Sequence, residues 1–196
     1  AYLDKIYGIS CHHIVREKKE HALMVMGLEY FPHEWLGQRL EWSPTVIATA
    51  QTAEQLQAYE IKIDVVIGTF VNGLLQADVK TISLEGDVLC SALNYLEKEG
   101  YPAVNIITDT LQPDDYFRQL EKLNIVVYYH DKKISAVRSG FSKWKPAGEI
   151  VEILTHPSGF LYKGLMPIHE NVFKTTHNGF FSLTFNDAFV LMAEQL

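Results

Sequence analysis

"IKIDVVIGTFVNG", residues 61–73, opens as a buried strand should. Ile61, Ile63, Val65, Val66 and Ile67 form a nearly continuous β-branched run, and Gly68 closes it. Such a run, apolar on both faces, suits a parallel sheet covered on both sides. In open α/β folds the crevice beyond a strand's carboxyl end is where ligands bind. Here Thr69, Phe70, Val71 and Asn72 follow the glycine and supply neither a carboxylate, a base nor a cation. The strand leads to a site whose chemistry is missing.

The stretches on either side fit the same architecture. "ALMVMG" (22–27), "TVIATA" (45–50), "VKTISL" (79–84), "AVNIIT" (103–108) and "IVVYYH" (125–130) also read as strands. Helix signals lie between them. Thr52-Ala53-Glu54-Gln55 has capping-box spacing ahead of Leu56 and Tyr59. Asp87 suits the N-cap of a helix whose Leu89, Ala92, Leu93 and Leu96 recur on one face, with Gly100 just past its end. Pro113, Asp114 and Asp115 suit a first helical turn, with Phe117, Leu120 and Leu123 facing inward. The succession predicts a doubly wound, mostly parallel α/β domain over residues 1–130.

After about residue 131 the pattern changes to short strand-like pieces separated by Gly, Pro, Asn or Asp, among them "GEIVEIL", "GFLYKGL" and "GFFSLTF". Residues 131–196 are therefore expected to form a small β-sandwich. About 65 residues make a thin core, so this unit is expected to lean on the first domain or on a second subunit. Trp144 and Tyr162 read as core aromatics, with stacking on a ligand ring as the alternative.

Composition narrows the function. A formal charge of −7 with scattered lysines and arginines excludes a general nucleic-acid or anionic-membrane binder, which needs a basic face. No apolar stretch is long enough to span a bilayer and no signal-peptide pattern is legible. Cys11 and Cys90 are far apart and read as reduced thiols, so the expected location is cytoplasmic. The Gly-x-Gly-x-x-Gly, phosphate-loop and nucleophile-elbow signatures are missing. Gly37 in "HEWLG" stands where a zinc helix needs its second histidine, and "HENVF" fails likewise. The adjacent side chains of Cys11, His12 and His13 would point to opposite faces of a strand, a poor metal site.

The order of the pieces carries more than any one motif. "SCHHIVREKKEHALMV" (10–25), "LGQRLEWSPTVIA" (36–48), "QTAEQLQAYEIKIDVVIGTF" (51–70), "DVLCSALNYLEKEGYPAVNII" (87–107) and "YKGLMPI" (162–168) resemble, in sequence and spacing, the bacterial thiamine pyrophosphokinases. The resemblance implies an α/β nucleotide domain, a β-sandwich and a homodimer with sites between subunits. It also implies ATP and Mg²⁺ as cofactors and transfer of pyrophosphate from ATP to thiamine, releasing AMP. A triphosphate needs Mg²⁺, and Mg²⁺ needs carboxylates.

Carried over position by position, most of those carboxylates are absent. Ala50-Gln51-Thr52 stands where the family has Asp-Gly-Gly; Thr69 and Val71 stand at two aspartates, and Val88 at another, or, with a one-residue slip, Asp87 is the retained carboxylate there. Asp115 matches the acid of Arg-x-Asp-His, with Pro113 and Tyr116 at the flanking arginine and histidine. If catalysis survives, the resemblance assigns metal binding to Glu85, Asp87 and Asp115, with Asp87 and Asp115 catalytic. Asp87 is equally explained as a helix cap, and Asp115 as an acid favouring a helix start. Gly68, Thr69 and Asn72, together with Asn178 near the family's thiamine-site Ser-Asn, are the candidate ligand contacts. The favoured reading is a thiamine pyrophosphokinase-like protein with weakened or lost catalysis; the alternative is a non-catalytic binder of thiamine or a nucleotide, or a scaffold homodimer.

Overall fold

The computed structural model describes residues 21–68 and 78–196. Six parallel strands, β1 (Ala22–Val25), β2 (Thr45–Thr49), β3 (Val65–Ile67), β4 (Lys80–Ile82), β5 (Ala103–Thr108) and β6 (Asn124–Tyr129), lie in the order β6-β5-β1-β2-β3-β4. All four residues of β1 are buried because its two faces are covered by different layers. Leu23 and Val25 pack with Leu36 of α1 (His33–Leu40) and with Ala53 and Leu56 of α2 (Ala50–Ala58). Ala22 and Met24 pack with Ala92, Leu93 and Leu96 of α3 (Val88–Glu99). Alternate side chains therefore feed two cores, and the sheet is wound on both sides.

Helix ends follow the local chemistry, with one shift from expectation. Asp87 caps α3, its Oδ1 accepting the N–H of Cys90 at 2.7 Å, and Gly100 ends it in the left-handed conformation at φ 76°. The cap of α2 is Thr49 rather than Thr52. Thr49 Oγ1 accepts from the N–H of Thr52, whose own hydroxyl oxygen accepts from the N–H of Thr49. Thr52 Oγ1 also donates to the carbonyl of Val25 at 2.7 Å. Its hydroxyl is thus needed inside the protein, and the helix starts three residues earlier than the capping-box reading placed it.

The segment Pro113–Gln119 is a 3₁₀ helix. Three residues per turn bring Tyr116 and Gln119 to the inward face, and Leu120 and Leu123 follow them into the core. Phe117 packs against the same core cluster, as expected, and is half-buried.

Beyond the turn His130-Asp131, the sheet continues. β7 (Lys132–Val137) folds back on β6, and β14 (Val190–Gln195), β9 (Ile150–Ile153), β12 (Val172–Thr175) and β11 (Leu165–His169) follow in space, all antiparallel. The result is one eleven-stranded sheet. A second, three-stranded antiparallel sheet, β10 (Leu161–Lys163), β13 (Gly179–Thr184) and β8 (Phe141–Lys145), faces it. Phe181, Leu183 and Phe185 meet Val137, Val151, Phe173 and Met192 in a third core cluster. The β-rich half thus consists of two facing sheets, one of them shared with the α/β half.

The facing sheets are also clamped by charge. Glu194 of β14 is nearly buried and receives Lys143 Nζ at 2.8 Å and Lys145 Nζ at 3.0 Å, both from β8. Burial works to raise its pKa, but the two lysines outweigh it and the carboxyl lies below its ordinary value.

Trp144 and Tyr162 depart from the core reading, at 52% and 38% exposed. Trp144 lies on the outward side of β8, opposite Phe180 of β13, which is also exposed. Tyr162 packs one side against the rings of Phe160 and Phe173 and leaves the other open.

Candidate functional site

Strand order reverses between β1 and β5: from β1 the chain moves to β2 on one side, while β5 lies on the other. The crevice beyond the carboxyl ends at such a point is the fold's natural ligand site. Here the loop after β1 and the first residue after β5 meet. The N–H groups of Met26 and Gly27 donate to the carbonyl of Ile107, drawing the two chain segments together. Asp109 then turns its carboxylate onto the β1 loop, accepting from the N–H of Glu29 at 3.2 Å and of Tyr30 at 3.4 Å. Gly27 makes this approach possible, since a β-carbon there would lie 2.2 Å from Asp109 Oδ2. Backbone donors placed to bind an anion are occupied by an anion of the chain itself.

Aromatic rings stand beside this carboxylate. His130 stacks on Tyr129 at 4.1 Å between centroids and lies 4.5 Å from Tyr30. Its Nε2 is buried without a hydrogen-bond partner in the described structure. The phenol of Tyr30 titrates above its usual range because Glu29 accepts its hydrogen bond and, with Asp109, adds negative charge. Acids and rings together suit a flat cationic molecule better than a polyanion. Sequence reading missed this group, because Tyr30, Asp109 and His130 come from three separate segments and share no motif.

The residues singled out from sequence are placed as follows. At the end of β2, the Thr49 and Thr52 hydroxyls are engaged with each other, and Ala50 opens α2. Gly68 adopts φ +100° and donates its N–H to the carbonyl of Ile82, so the glycine serves the backbone turn. Asp87 is the α3 cap described above. The N–H of Glu85 donates to Ser91 Oγ, whose hydroxyl donates to the carbonyl of Asp87, tying this loop to the first turn of α3. Asp115 is exposed on the 3₁₀ segment. Tyr116 beside it is buried, and burial together with the Asp115 carboxylate pushes its phenol up to about 12, so it stays protonated at neutral pH. Asn178 lies in the β-rich half, where its Oδ1 accepts the N–H of Ala147 at 2.8 Å and holds a turn. Thr69, Val71 and Asn72, with Cys11, His12 and His13, lie outside the described residues.

Among the described residues, no three His, Cys, Asp or Glu side chains gather into a group able to hold a metal ion. Glu85, Asp87 and Asp115 are therefore not brought together as a metal site. The described donor set does not fit Mg²⁺, which demands several oxygen ligands in octahedral array. Also among the described residues, no helix is long and apolar enough to cross a membrane.

Comparison with protein-family models finds no match, and comparison with curated proteins finds none either. Solved structures do match. Thiamine pyrophosphokinase from Bacillus subtilis superimposes with a TM-score of 0.64 at 11% identity, covering 89% of this chain and 98% of that one. The enzyme from Geobacillus thermodenitrificans gives 0.64 at 12% identity over 90% and 97% of the two chains. Yeast thiamin pyrophosphokinase gives 0.63 at 11% identity over 93% and 88%. At such identities the likeness is one of architecture, and it spans the α/β and β-rich halves together: this chain has the thiamine pyrophosphokinase fold.

Proposed function

We propose that this chain is a thiamine pyrophosphokinase-like protein in which pyrophosphate transfer is weakened or lost, and which acts as a homodimeric binder of a small molecule. The observation that carries this reading is the Asp109 carboxylate seated on the Glu29 and Tyr30 amides. A triphosphate entering the crevice would meet a fixed negative charge. Two like charges about 4 Å apart repel by roughly 4 kcal/mol at the effective dielectric of a protein surface. The missing metal group supports the same reading, since nothing described offsets the charge of a transferring phosphoryl group.

The ligand favoured by the crevice is a flat cation of the thiamine kind, received by Tyr30, Tyr129, His130 and Asp109. A nucleotide is disfavoured by the same charges. The use of ATP and Mg²⁺, implied by resemblance, belongs to the alternative in which catalysis survives. A cytoplasmic location remains part of the proposal.

Two assays test the reading. Thiamine should raise the melting temperature or give heat on titration without any nucleotide present. Thiamine, ATP and Mg²⁺ together should yield little thiamine pyrophosphate above background. Robust Mg²⁺-dependent turnover, lost in Asp87→Asn or Asp115→Asn, would overturn it.

A further inference from the structure

The junction between the two halves of the large sheet is split. β6 and β7 pair over four residue pairs, from Tyr129↔Lys132 to Val126↔Ser135, and there their ladder stops. Both strands go on. β6 reaches back to Asn124, still paired with β5, and β7 runs to Val137, still paired with β14. The sheet is therefore open between Asn124-Ile125 and Ala136-Val137. A groove of about 780 Å³ occupies this opening, within the range of small-molecule pockets. Asn124 begins β6, so the groove's mouth lies at the opposite end of the parallel strands from the Asp109 crevice.

The groove is cationic in an acidic protein. Lys122, Lys133, Arg138 and Lys143 line it, against the carboxylates of Glu121 and Glu194. Lys122 is paired with Glu97 and Lys143 with Glu194, so Lys133 and Arg138 face Glu121 with an excess of one positive charge, in a chain of net charge −7. The Glu194 carboxylate is already satisfied twice, by Lys143 and Lys145, while Lys133 stands directly opposite it in the β7–β14 ladder. Arg138 places its guanidinium over the ring of Phe189 at 4.4 Å. Among the described residues neither Lys133 nor Arg138 has a carboxylate partner within ion-pair distance. Phe141, Phe189 and Met192 supply apolar walls between these charges.

We propose that this split in the sheet is a binding site for a small organic anion, an oxyanion group carried on a flat apolar body. Lys133 and Lys143 hold the oxyanion, and the Arg138–Phe189 pair presents a stacking surface for the body. Phosphate esters and carboxylates share this chemistry, and the experiment separates them. Because the walls come from both the α/β and the β-rich half, an occupant braces the junction where the ladder is missing.

The test uses the full chain with 1-naphthyl phosphate, 1-naphthoate and neutral naphthalenemethanol as probes, followed by backbone amide chemical shifts. An anionic probe should move the amides of Leu123–Val126 and Ser135–Arg138, with naphthalenemethanol leaving them in place. Tighter binding of the phosphate or of the carboxylate identifies which oxyanion the groove prefers. Lys133→Gln combined with Arg138→Gln should weaken the preferred probe about tenfold or more and leave the melting temperature of the free protein unchanged. Undiminished affinity in that variant, equal binding of the neutral probe, or shifts confined to other regions would overturn the site. If the double variant fails to fold, the shift map of the unmodified protein decides.

Discussion

Gly27 and Asp109 are mutually exclusive as side-chain positions: a β-carbon on Gly27 would stand 2.2 Å from Asp109 Oδ2 and 2.9 Å from the Asp109 backbone nitrogen. Gly27→Ala is therefore expected to destabilise the protein by about 1–3 kcal/mol through overpacking. Adding Asp109→Ala should recover only part of the loss, because the backbone contact remains. Denaturant titration of the two single variants and the double variant gives the coupling directly. Additive losses would mean that the clasp is not formed.

The charge of Asp109 is the expected barrier to nucleotides. Asp109→Asn keeps the size of the side chain, and its Oδ1 can still accept one amide hydrogen. Binding of inorganic pyrophosphate or ATP, weak in the unmodified protein, should rise about tenfold in this variant, which corresponds to roughly 1.4 kcal/mol. Calorimetry in the absence of divalent metal is the measurement. No change would place the obstacle elsewhere in the crevice.

Asp87 offers a way to separate a helix cap from a metal ligand. Asp87→Ala removes the acceptor for the Cys90 amide and should cost about 1 kcal/mol of stability, whereas Asp87→Asn should cost much less because asparagine caps nearly as well. A ligand role predicts the reverse emphasis, with both variants losing Mg²⁺ binding alike. Thermal melts with and without Mg²⁺ distinguish the two.

The Glu194 clamp predicts acid sensitivity. The folded pKa of this carboxyl lies below its ordinary value because Lys143 and Lys145 favour the ionised form over the opposing effect of burial. Its stabilisation is therefore fully present above the unfolded value, about 4.3 for glutamate. It is lost as the pH falls from there through the lowered folded value. Glu194→Gln should be less stable than the unmodified protein at neutral pH, and that difference should shrink over this acid window. A difference that does not vary with pH would show that the ion pairs contribute nothing beyond packing.

For the proposed homodimer, light scattering at micromolar concentration should report about twice the 22.3 kDa chain mass. Trp144 and Phe180, registered neighbours exposed on the outward face of the three-stranded sheet, are the apolar surface such contact would use. Trp144→Ser with Phe180→Ser should shift the mass toward one chain. A clean monomer before substitution would remove the basis for any site shared between subunits.

Local signals explain what could be read ahead of the structure. Asp87 and Gly100 bracket α3 because a cap depends on a few neighbouring residues, and burial of β1 on both faces follows from its uninterrupted apolar run. The α2 start is not legible locally because Thr52, with Gln55 three residues on, fits the capping-box motif better than Thr49 does. The donation from Thr52 to Val25, 27 residues earlier in the chain, is what fixes the answer. The same reach hid the crevice. Asp109 acquires its role only when the Glu29 and Tyr30 amides, about 80 residues away, are folded against it. Exposure of Trp144 was equally illegible, since nothing local says which face of β8 turns outward.

The position of β14 has a consequence for the order of assembly. Residues 190–195 come latest in the sequence among the strands, yet they lie between β7 and β9 in the interior of the sheet. During synthesis, β7 and β9 have no partner on their facing edges until residues 190–195 have been made. Those two edges are an opportunity for wrong pairing between nascent chains. Closure by β14 converts both into interior strands at once, so correct folding of the β-rich half is gated by the arrival of one six-residue segment.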